Sequence, residues 1–361
     1  ETYTRRLDDV FAIQEEIARS VVRALEVRLA SSDDSSLAAR PTEDLEAYDL
    51  YLRGRYQWNR RTVDGIRRGM ERFREALDLD PGLARAWAGL ADSHVLLSSF
   101  GVMDPEEGYE RAREAAERAL EIRELAEAHA SLGAVSADYD WRLAEAEEHY
   151  RRAIELDPNY PTARYWYAEI LADVGRTEDA VSMARRAQEL DPLSLLASAT
   201  EGRAYYLGRR FDEAAEKLEE TLNRGPQLTA YLYLGLTYTR QGRHERAVQT
   251  LEEGRERYAG VSTVTGLLGY ALARAGRTEE ARRLLGELVE LREERPVAAI
   301  DVAAIHVGLG DREAALEWLR RAYEERNWQL RFLGTEPLFD PLRSEPRFRE
   351  LLEDVHGSSE A

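Results

Sequence analysis

The chain has 361 residues, with 69 acidic and 50 basic side chains and a formal net charge of −19. This acid excess disfavours nucleic acid as a direct partner, because phosphate binding depends on clustered lysines and arginines. The absence of cysteine excludes disulfides, thiol nucleophiles and cysteine-ligated zinc, and no apolar run is long enough for a membrane segment. A cytoplasmic protein is therefore expected.

The first predicted element is an amphipathic helix over residues 5–30. Four apolar residues follow one another there at four-residue steps, on one helix face: Ile17, Val21, Leu25 and Leu29. This apolar stripe must pack against another surface to be shielded from water. One alternative is the first repeat of the chain, which the helix would cap, and the other is a second copy of the chain, which would give a homodimer. With the polar linker after it, the helix forms a predicted N-terminal region, residues 1–43.

From residue 44 to residue 325 the chain repeats itself. A glycine recurs at spacings of 33 or 34 residues, at Gly175, Gly208, Gly242, Gly276 and Gly310. Apolar residues at helical spacing lie on both sides of each glycine, which is expected to end a helix with a positive φ angle. The pattern predicts eight helix pairs, at 45–81, 84–122, 126–158, 161–192, 194–226, 228–258, 262–291 and 296–325.

These pairs resemble the tetratricopeptide repeat, whose pattern is Trp-x2-Leu-Gly-x2-Tyr, then Ala-x3-Phe-x2-Ala and a proline. Residues 231–238 give Tyr-x2-Leu-Gly-x2-Tyr, residues 87–94 give Trp-x2-Leu-Ala-x2-His, and residues 69–76 give Gly-x3-Phe-x2-Ala. The resemblance implies an all-α fold, a right-handed α-solenoid of about eight helix pairs with capping helices at both ends. Such a solenoid is a scaffold that serves many partners.

The opening residues 1–18 and the stretches 47–54, 139–141 and 340–348 resemble a family of bacterial multidomain signalling proteins. In that family a TolB-like domain precedes a C-terminal tetratricopeptide array, and the N-terminus usually carries a kinase, an adenylate cyclase or a winged-helix domain. The resemblance implies that this chain is the non-catalytic, regulatory part of a larger bacterial signalling protein.

A C-terminal region, residues 326–361, follows the eighth pair. Residues 328–333 are apolar and too few for another repeat, and Phe348, Leu351 and Val355 lie on one face of a final helix. We expect residues 328–355 to cap the exposed face of the last repeat, because the ends of a solenoid need such a covering.

Motifs for catalysis are absent from the sequence. It contains no phosphate-binding loop, no serine-hydrolase elbow and no dinucleotide-binding glycine motif. No two of the six histidines have the four-residue spacing of a helical metal pair. We therefore expect no enzymatic activity, no metal and no cofactor.

The concave face of the solenoid is the predicted binding site. The repeat register places these residues of the first helices in the groove: Tyr51, Arg55, Trp58, Arg85, Asp92, Tyr165, Trp166, Glu169, Arg203, Tyr206, Tyr233, Arg240, Tyr270 and Arg274. Aromatic residues and arginines, which recur in this set, are enriched at binding hot spots. The competing interpretation is that several of these rings pack between repeats.

The favoured hypothesis for the groove is a peptide or protein segment, from another protein or from the parent chain. Arginines would suit an acidic or phosphorylated one. A chaperone-tail receptor is disfavoured, because the lysines and asparagines of the chaperone-cofactor family are missing from successive first helices. The alternative function is a homo-oligomerisation or sensory module that controls an attached kinase, cyclase or transcription-factor domain.

Overall fold

The computed structural model describes residues 42–357. Within this range it contains α-helices and two short 3-10 helices, and no β-strand. The 3-10 helices are Trp328–Phe332 and Pro337–Leu342. The α-helices are α1 (Leu45–Trp58), α2 (Val63–Leu79), α3 (Ala84–Ser99), α4 (Pro105–Ile122), α5 (Ala126–Asp138), α6 (Leu143–Leu156), α7 (Pro161–Asp173), α8 (Thr177–Leu190), α9 (Leu195–Leu207), α10 (Phe211–Arg224), α11 (Leu228–Arg240), α12 (His244–Arg257), α13 (Ser262–Arg274), α14 (Thr278–Glu294), α15 (Ala299–Leu309), α16 (Arg312–Glu324) and α17 (Pro346–His356).

Helices α1 to α16 form eight hairpins that stack in chain order. In each hairpin the first helix packs on the second, and each first helix also packs on the first helix of the next hairpin. The all-α solenoid predicted from the repeats is confirmed. The predicted helix at 5–30 and the linker after it lie outside the described residues. No helix within residues 42–357 has both the length and the apolar character that a membrane crossing requires.

Glycines on the first helices let large side chains of the second helices approach closely. The ring of Phe73 on α2 is fully buried between Gly54 on α1 and Gly89 on α3. A Cβ added at Gly54 would lie 2.5 Å from Phe73 Cε1, and one added at Gly89 would lie 2.7 Å from two atoms of the same ring. The packing between the helices therefore requires glycine at both positions, because a Cβ at either one would clash with the Phe73 ring.

We expect Gly89→Ala to lower the free energy of unfolding by about 1–2 kcal/mol, because overpacking against Phe73 exceeds the gain in helix propensity. The matched control is Gly286→Ala on α14. That glycine is exposed and a Cβ there meets no atom within 4 Å, so the substitution should stabilise the chain by about 1 kcal/mol. Urea unfolding of the two variants measures both changes, and a stabilised Gly89→Ala chain would contradict the packing.

The turns between the helices follow the glycine prediction at four positions and depart from it at the fifth. Gly175, Gly242, Gly276 and Gly310 have φ angles of 78°, 73°, 80° and 79°. Gly208, by contrast, has a φ of −74°. The left-handed residue of that turn is Arg209, with a φ of 62°. The expectation for Gly208 was wrong because the left-handed position of this turn lies 34 residues after Gly175, which is Arg209 and not the glycine before it.

The inner face of the solenoid is enclosed by contacts between distant hairpins. Arg61, in the turn of the first hairpin, donates a hydrogen bond to the hydroxyl of Tyr165 in the fourth. Trp141, in the turn of the third hairpin, has its ring 5.4 Å from that of Tyr323 in the eighth. We call the inner face that the first helices line the channel.

Residues 328–343, which we call the inner segment, lie in this channel. The expected cap is present in part: α17 packs on α16, where Arg320 and Asp354 form an ion pair at 2.5 Å and Phe348 is fully buried. The inner segment extends much further, because its side chains reach helices of the second to the sixth hairpin, as described below. The prediction that residues 328–355 only cover the last hairpin was therefore too narrow.

Candidate functional site

The end of the channel near the first hairpin is built from a buried carboxylate and an indole ring. Asp92 on α3 is fully buried, and it accepts a hydrogen bond from Arg55 at 2.7 Å and another from Ser131 Oγ at 2.7 Å. The fully buried ring of Trp58 lies between two guanidinium groups, with Arg55 Cζ at 4.3 Å and Arg61 Cζ at 3.7 Å from its centroid. These cation–π contacts hold both arginines in place.

Three carboxylates in the middle of the channel form what we call the acidic pocket: Asp138 on α5 with Glu169 and Asp173 on α7. The guanidinium of Arg331, from the inner segment, enters this pocket. Its Nε lies 2.7 Å from Asp173 Oδ2, its Nη2 lies 3.5 Å from Glu169 Oε2, and its Nη1 pairs with Asp138. Only 5% of the Arg331 side chain is exposed, so a charged group is buried here against a set of opposite charges.

A second arginine shares the acidic pocket from the other side. Arg203 on α9 pairs with Asp173 and donates to the hydroxyl of Tyr233 at 2.9 Å and to the carbonyl oxygen of Glu169 at 3.3 Å. Its Cζ also lies 5.1 Å from the centroid of the Phe332 ring. Asp173 is thus bridged by one arginine of the solenoid and one of the inner segment.

Aromatic side chains flank Arg331 along the inner segment. Trp328 donates its Nε1 proton to the carbonyl oxygen of Ser99 at 3.1 Å. Its ring lies 5.0 Å from Arg331 Cζ and 5.9 Å from the ring of Phe332. The guanidinium is therefore covered by an indole while it contacts the carboxylates.

Beyond the acidic pocket the polarity of the channel reverses. Glu336 of the inner segment accepts a hydrogen bond from the hydroxyl of Tyr206 at 2.5 Å. Asp340 accepts two from Arg209, both at 2.7 Å, and one from Arg240 at 3.3 Å. A bidentate arginine–carboxylate pair is among the stronger charge-assisted hydrogen bonds. The channel thus places carboxylates around Arg331 of the inner segment, and it places arginines and a tyrosine hydroxyl next to Glu336 and Asp340 of that segment.

Burial shapes the charges of the channel. It raises the pKa of Asp173 to about 6 and that of Glu169 to about 7, while the Arg203 guanidinium acts in the opposite direction on both. Burial also acts to raise the pKa of Asp340, but the hydrogen bonds from Arg209 and Arg343 outweigh it and bring that pKa to about 2. Carboxylates in the acidic pocket therefore favour a cation beside them.

The structure separates the predicted groove residues by exposure. Tyr51, Trp58, Asp92, Tyr165, Trp166, Arg203, Tyr206, Tyr233 and Tyr270 are buried, Arg55 and Glu169 are half-buried, and Arg85, Arg240 and Arg274 are exposed. Several rings do pack between helices, as when Tyr51 lies 6.0 Å from Phe73 and Tyr206 lies 5.4 Å from Tyr233. Their role in binding a partner stays a prediction.

The predicted residues that contact the inner segment directly are Glu169, Arg203, Tyr206 and Arg240. Sequence reasoning missed the others, namely Asp138, Asp173, Arg209 and the inner segment itself. A signal for two of them was present, because Asp138 and Asp173 end their first helices in the same register as Arg240 and Arg274. The predicted set contained two acids, Asp92 and Glu169, and did not include Asp138 or Asp173.

A pair of histidines is also brought together. His129 on α5 and His149 on α6 have their Nδ1 atoms 3.1 Å apart. Burial, and for His129 also the neighbouring histidine, lowers the pKa of both imidazoles. Among residues 42–357, no group of three or more potential ligands surrounds a metal-sized space.

Comparisons with known proteins agree with this architecture. Two family models, each described as a tetratricopeptide repeat, match residues 142–201 and 200–261. The solved structure of a Rap protein complexed with competence and sporulation factor superimposes with a TM-score of 0.61, at 13% identity, over 85% of this chain and 98% of that one. At this identity the likeness concerns the fold.

Two curated relatives are regulators or enzymes by name. Putative adenylate cyclase 3 from Rhizobium meliloti (strain 1021) is 39% identical over 103 residues, which are 28% of this chain and 17% of that protein. Transcriptional regulator HilA from Salmonella typhimurium is 23% identical over 251 residues, 68% of this chain and 44% of that protein. The chain thus spans less than half the length of either relative.

The period of the helical hairpins, the glycines at their interfaces and the two family matches lead to one conclusion. The chain contains tetratricopeptide repeats, which the family models match over residues 142–261, and it folds as an all-α solenoid.

Proposed function

We propose that the chain is a non-catalytic protein-interaction scaffold whose channel holds a segment of polypeptide. Tetratricopeptide repeats generally mediate contacts between proteins. The observation that carries the proposal is the inner segment itself. Its side chains contact partners from five successive hairpins, from Ser99 in the second to Arg240 in the sixth. The channel therefore offers hydrogen-bonding groups along the length of a bound polypeptide segment.

The charges of the channel support a partner with an acidic end. Arg209, Arg240 and Arg274 lie at the ends of neighbouring first helices or just beyond them, and two of these already bind the carboxylate of Asp340. Guanidinium groups bind carboxylate and phosphate in the same bidentate manner. An acidic or phosphorylated residue of a partner would fit this position.

We also propose that the chain is the regulatory part of a larger bacterial signalling protein. Its relatives are named as an adenylate cyclase and a transcriptional regulator, and both are much longer than the part that this chain matches. In such a protein the solenoid would receive a partner segment and pass its occupancy on to the attached effector domain.

A homo-oligomerisation module is the second candidate. Helix α1 exposes apolar side chains to solvent, with Leu52 39% and Tyr56 71% exposed. The apolar stripe predicted at residues 17–29, outside the described residues, would suit this face in the same chain or in a second copy. Light scattering of the chain with and without residues 1–40 distinguishes packing within one chain from dimerisation. If both forms are monomers, the dimer is excluded.

Position-dependent crosslinking tests the scaffold proposal. We expect a photo-crosslinking amino acid at Arg85 or Arg274, exposed on first helices, to capture a partner in cells of the source organism. The matched controls are Arg118 and Glu189, exposed on the second helices α4 and α8. Capture of the same partner with equal yield from all four positions would contradict binding in the channel.

A further inference from the structure

We infer that the acidic pocket is a recognition site for an arginine side chain of a partner polypeptide, and that Arg331 occupies it in the free protein as an internal ligand. This inference rests on the proposed function and adds the chemistry of the partner and its regulation. The partner would carry an arginine flanked by aromatic residues and followed by acids, and it would bind by displacing the inner segment.

The pocket has the geometry of a guanidinium site. Three carboxylates, from two first helices, approach one planar group from different sides, and each N–H-bearing nitrogen of Arg331 faces a different one of them. Arginine is suited to such a site because its donors form a fixed planar fork. A segment that merely covered apolar surface would need no buried cation, since burying an ion pair costs desolvation that well-packed apolar side chains avoid.

Contacts beyond the pocket set the rest of the recognition pattern. The aromatic residues are Trp328, three positions before the arginine, and Phe332, directly after it. The acids are Glu336 and Asp340, five and nine positions after the arginine, where Tyr206 and Arg209 receive them. A ligand that reproduces this order of aromatic, basic and acidic side chains would supply partners for the acidic pocket, for Tyr206 and for Arg209.

Exchange of the segment can be measured with a fluorescent peptide of residues 326–345. We expect the peptide to bind the full chain carrying Arg331→Ala at least tenfold more tightly than the wild-type chain, whose own segment competes. The control is the same peptide with alanine at the position of Arg331, and it should bind neither chain. Circular dichroism of the variant checks that the solenoid is folded.

A second variant allows the test to be made even if the chain with Arg331→Ala does not fold. Asp340→Ala loosens the far end of the segment, where the carboxylate is 23% exposed, and it should also raise peptide affinity. Equal peptide affinity for wild type and both variants would overturn the inference. If the peptide affinities are equal but crosslinking still captures a partner, the proposed function stands and only this inference fails. If the peptide displaces the inner segment but no channel position captures a partner, only the proposed function fails.

Discussion

A chain with Arg331→Ala is expected to have a free energy of unfolding lower by about 3–5 kcal/mol than the wild type. The substitution removes one partner of a buried ion-pair network, and such a loss typically has this size because the remaining charges stay desolvated. Asp173 keeps Arg203, whereas Asp138 is left with the Tyr109 hydroxyl at 3.3 Å. Most of the loss should therefore arise at Asp138.

Urea unfolding followed by circular dichroism at neutral pH measures this change. The matched control is Arg320→Ala on α16, whose ion pair with Asp354 joins side chains that are 51% and 44% exposed. An exposed pair contributes at most about 1 kcal/mol. If both substitutions had the same small effect, Arg331 would not be buried among carboxylates, and the placement of the inner segment would be wrong.

Asp301→Asn should stabilise the chain at neutral pH by about 3 kcal/mol and leave its stability unchanged near pH 3. Asp301 on α15 is 4% exposed, and burial raises its pKa from 3.8 to about 6, although the hydroxyl of Ser262, at 2.7 Å, and that of Thr263 donate to it. Between these two pKa values the folded chain binds more protons than the unfolded chain, so stability falls as pH rises through this window. A pKa that differs by one between the folded and the unfolded chain corresponds to about 1.4 kcal/mol of stability.

The measurement is the difference in unfolding free energy between variant and wild type at several pH values from about 3 to 8, the range in which the carboxyl group titrates. Taking the difference removes the contributions of the other titrating groups. Asp78→Asn, an exposed position on α2, is the control and should change the unfolding free energy far less. A difference for Asp301→Asn that does not vary with pH would show that this carboxyl is not desolvated in the folded chain.

The hairpins could be predicted from sequence because their signals are local and repeated. A glycine follows each of the last five first helices at a nearly fixed period, and a small residue on a first helix lies opposite a large one on a second helix, as with Gly89 and Phe73. Two residues that the register of the first helices placed in the groove, Arg203 and Tyr206, contact the inner segment, whereas the role of the predicted residues in binding a partner stays a prediction.

The occupant of the channel could not be predicted in this way. Arg331 meets Asp138 and Asp173 across 193 and 158 residues of sequence, and it lies in a segment that has no repeat. Arg209 likewise takes a conformation that the pattern assigns to glycine. The first departure depends on contacts between distant parts of the chain, which a repeat of about 34 residues does not encode.

Hydrogen exchange of residues 328–339 tests most directly whether the inner segment lies in the channel. We predict slow exchange in the wild-type chain and at least tenfold faster exchange when Asp138 is replaced by alanine on α5. Asp140→Ala should have no such effect, because Asp140 pairs with Arg113 at 2.9 Å and not with the segment. Exchange that is fast in the wild type, or insensitive to Asp138, would contradict the account.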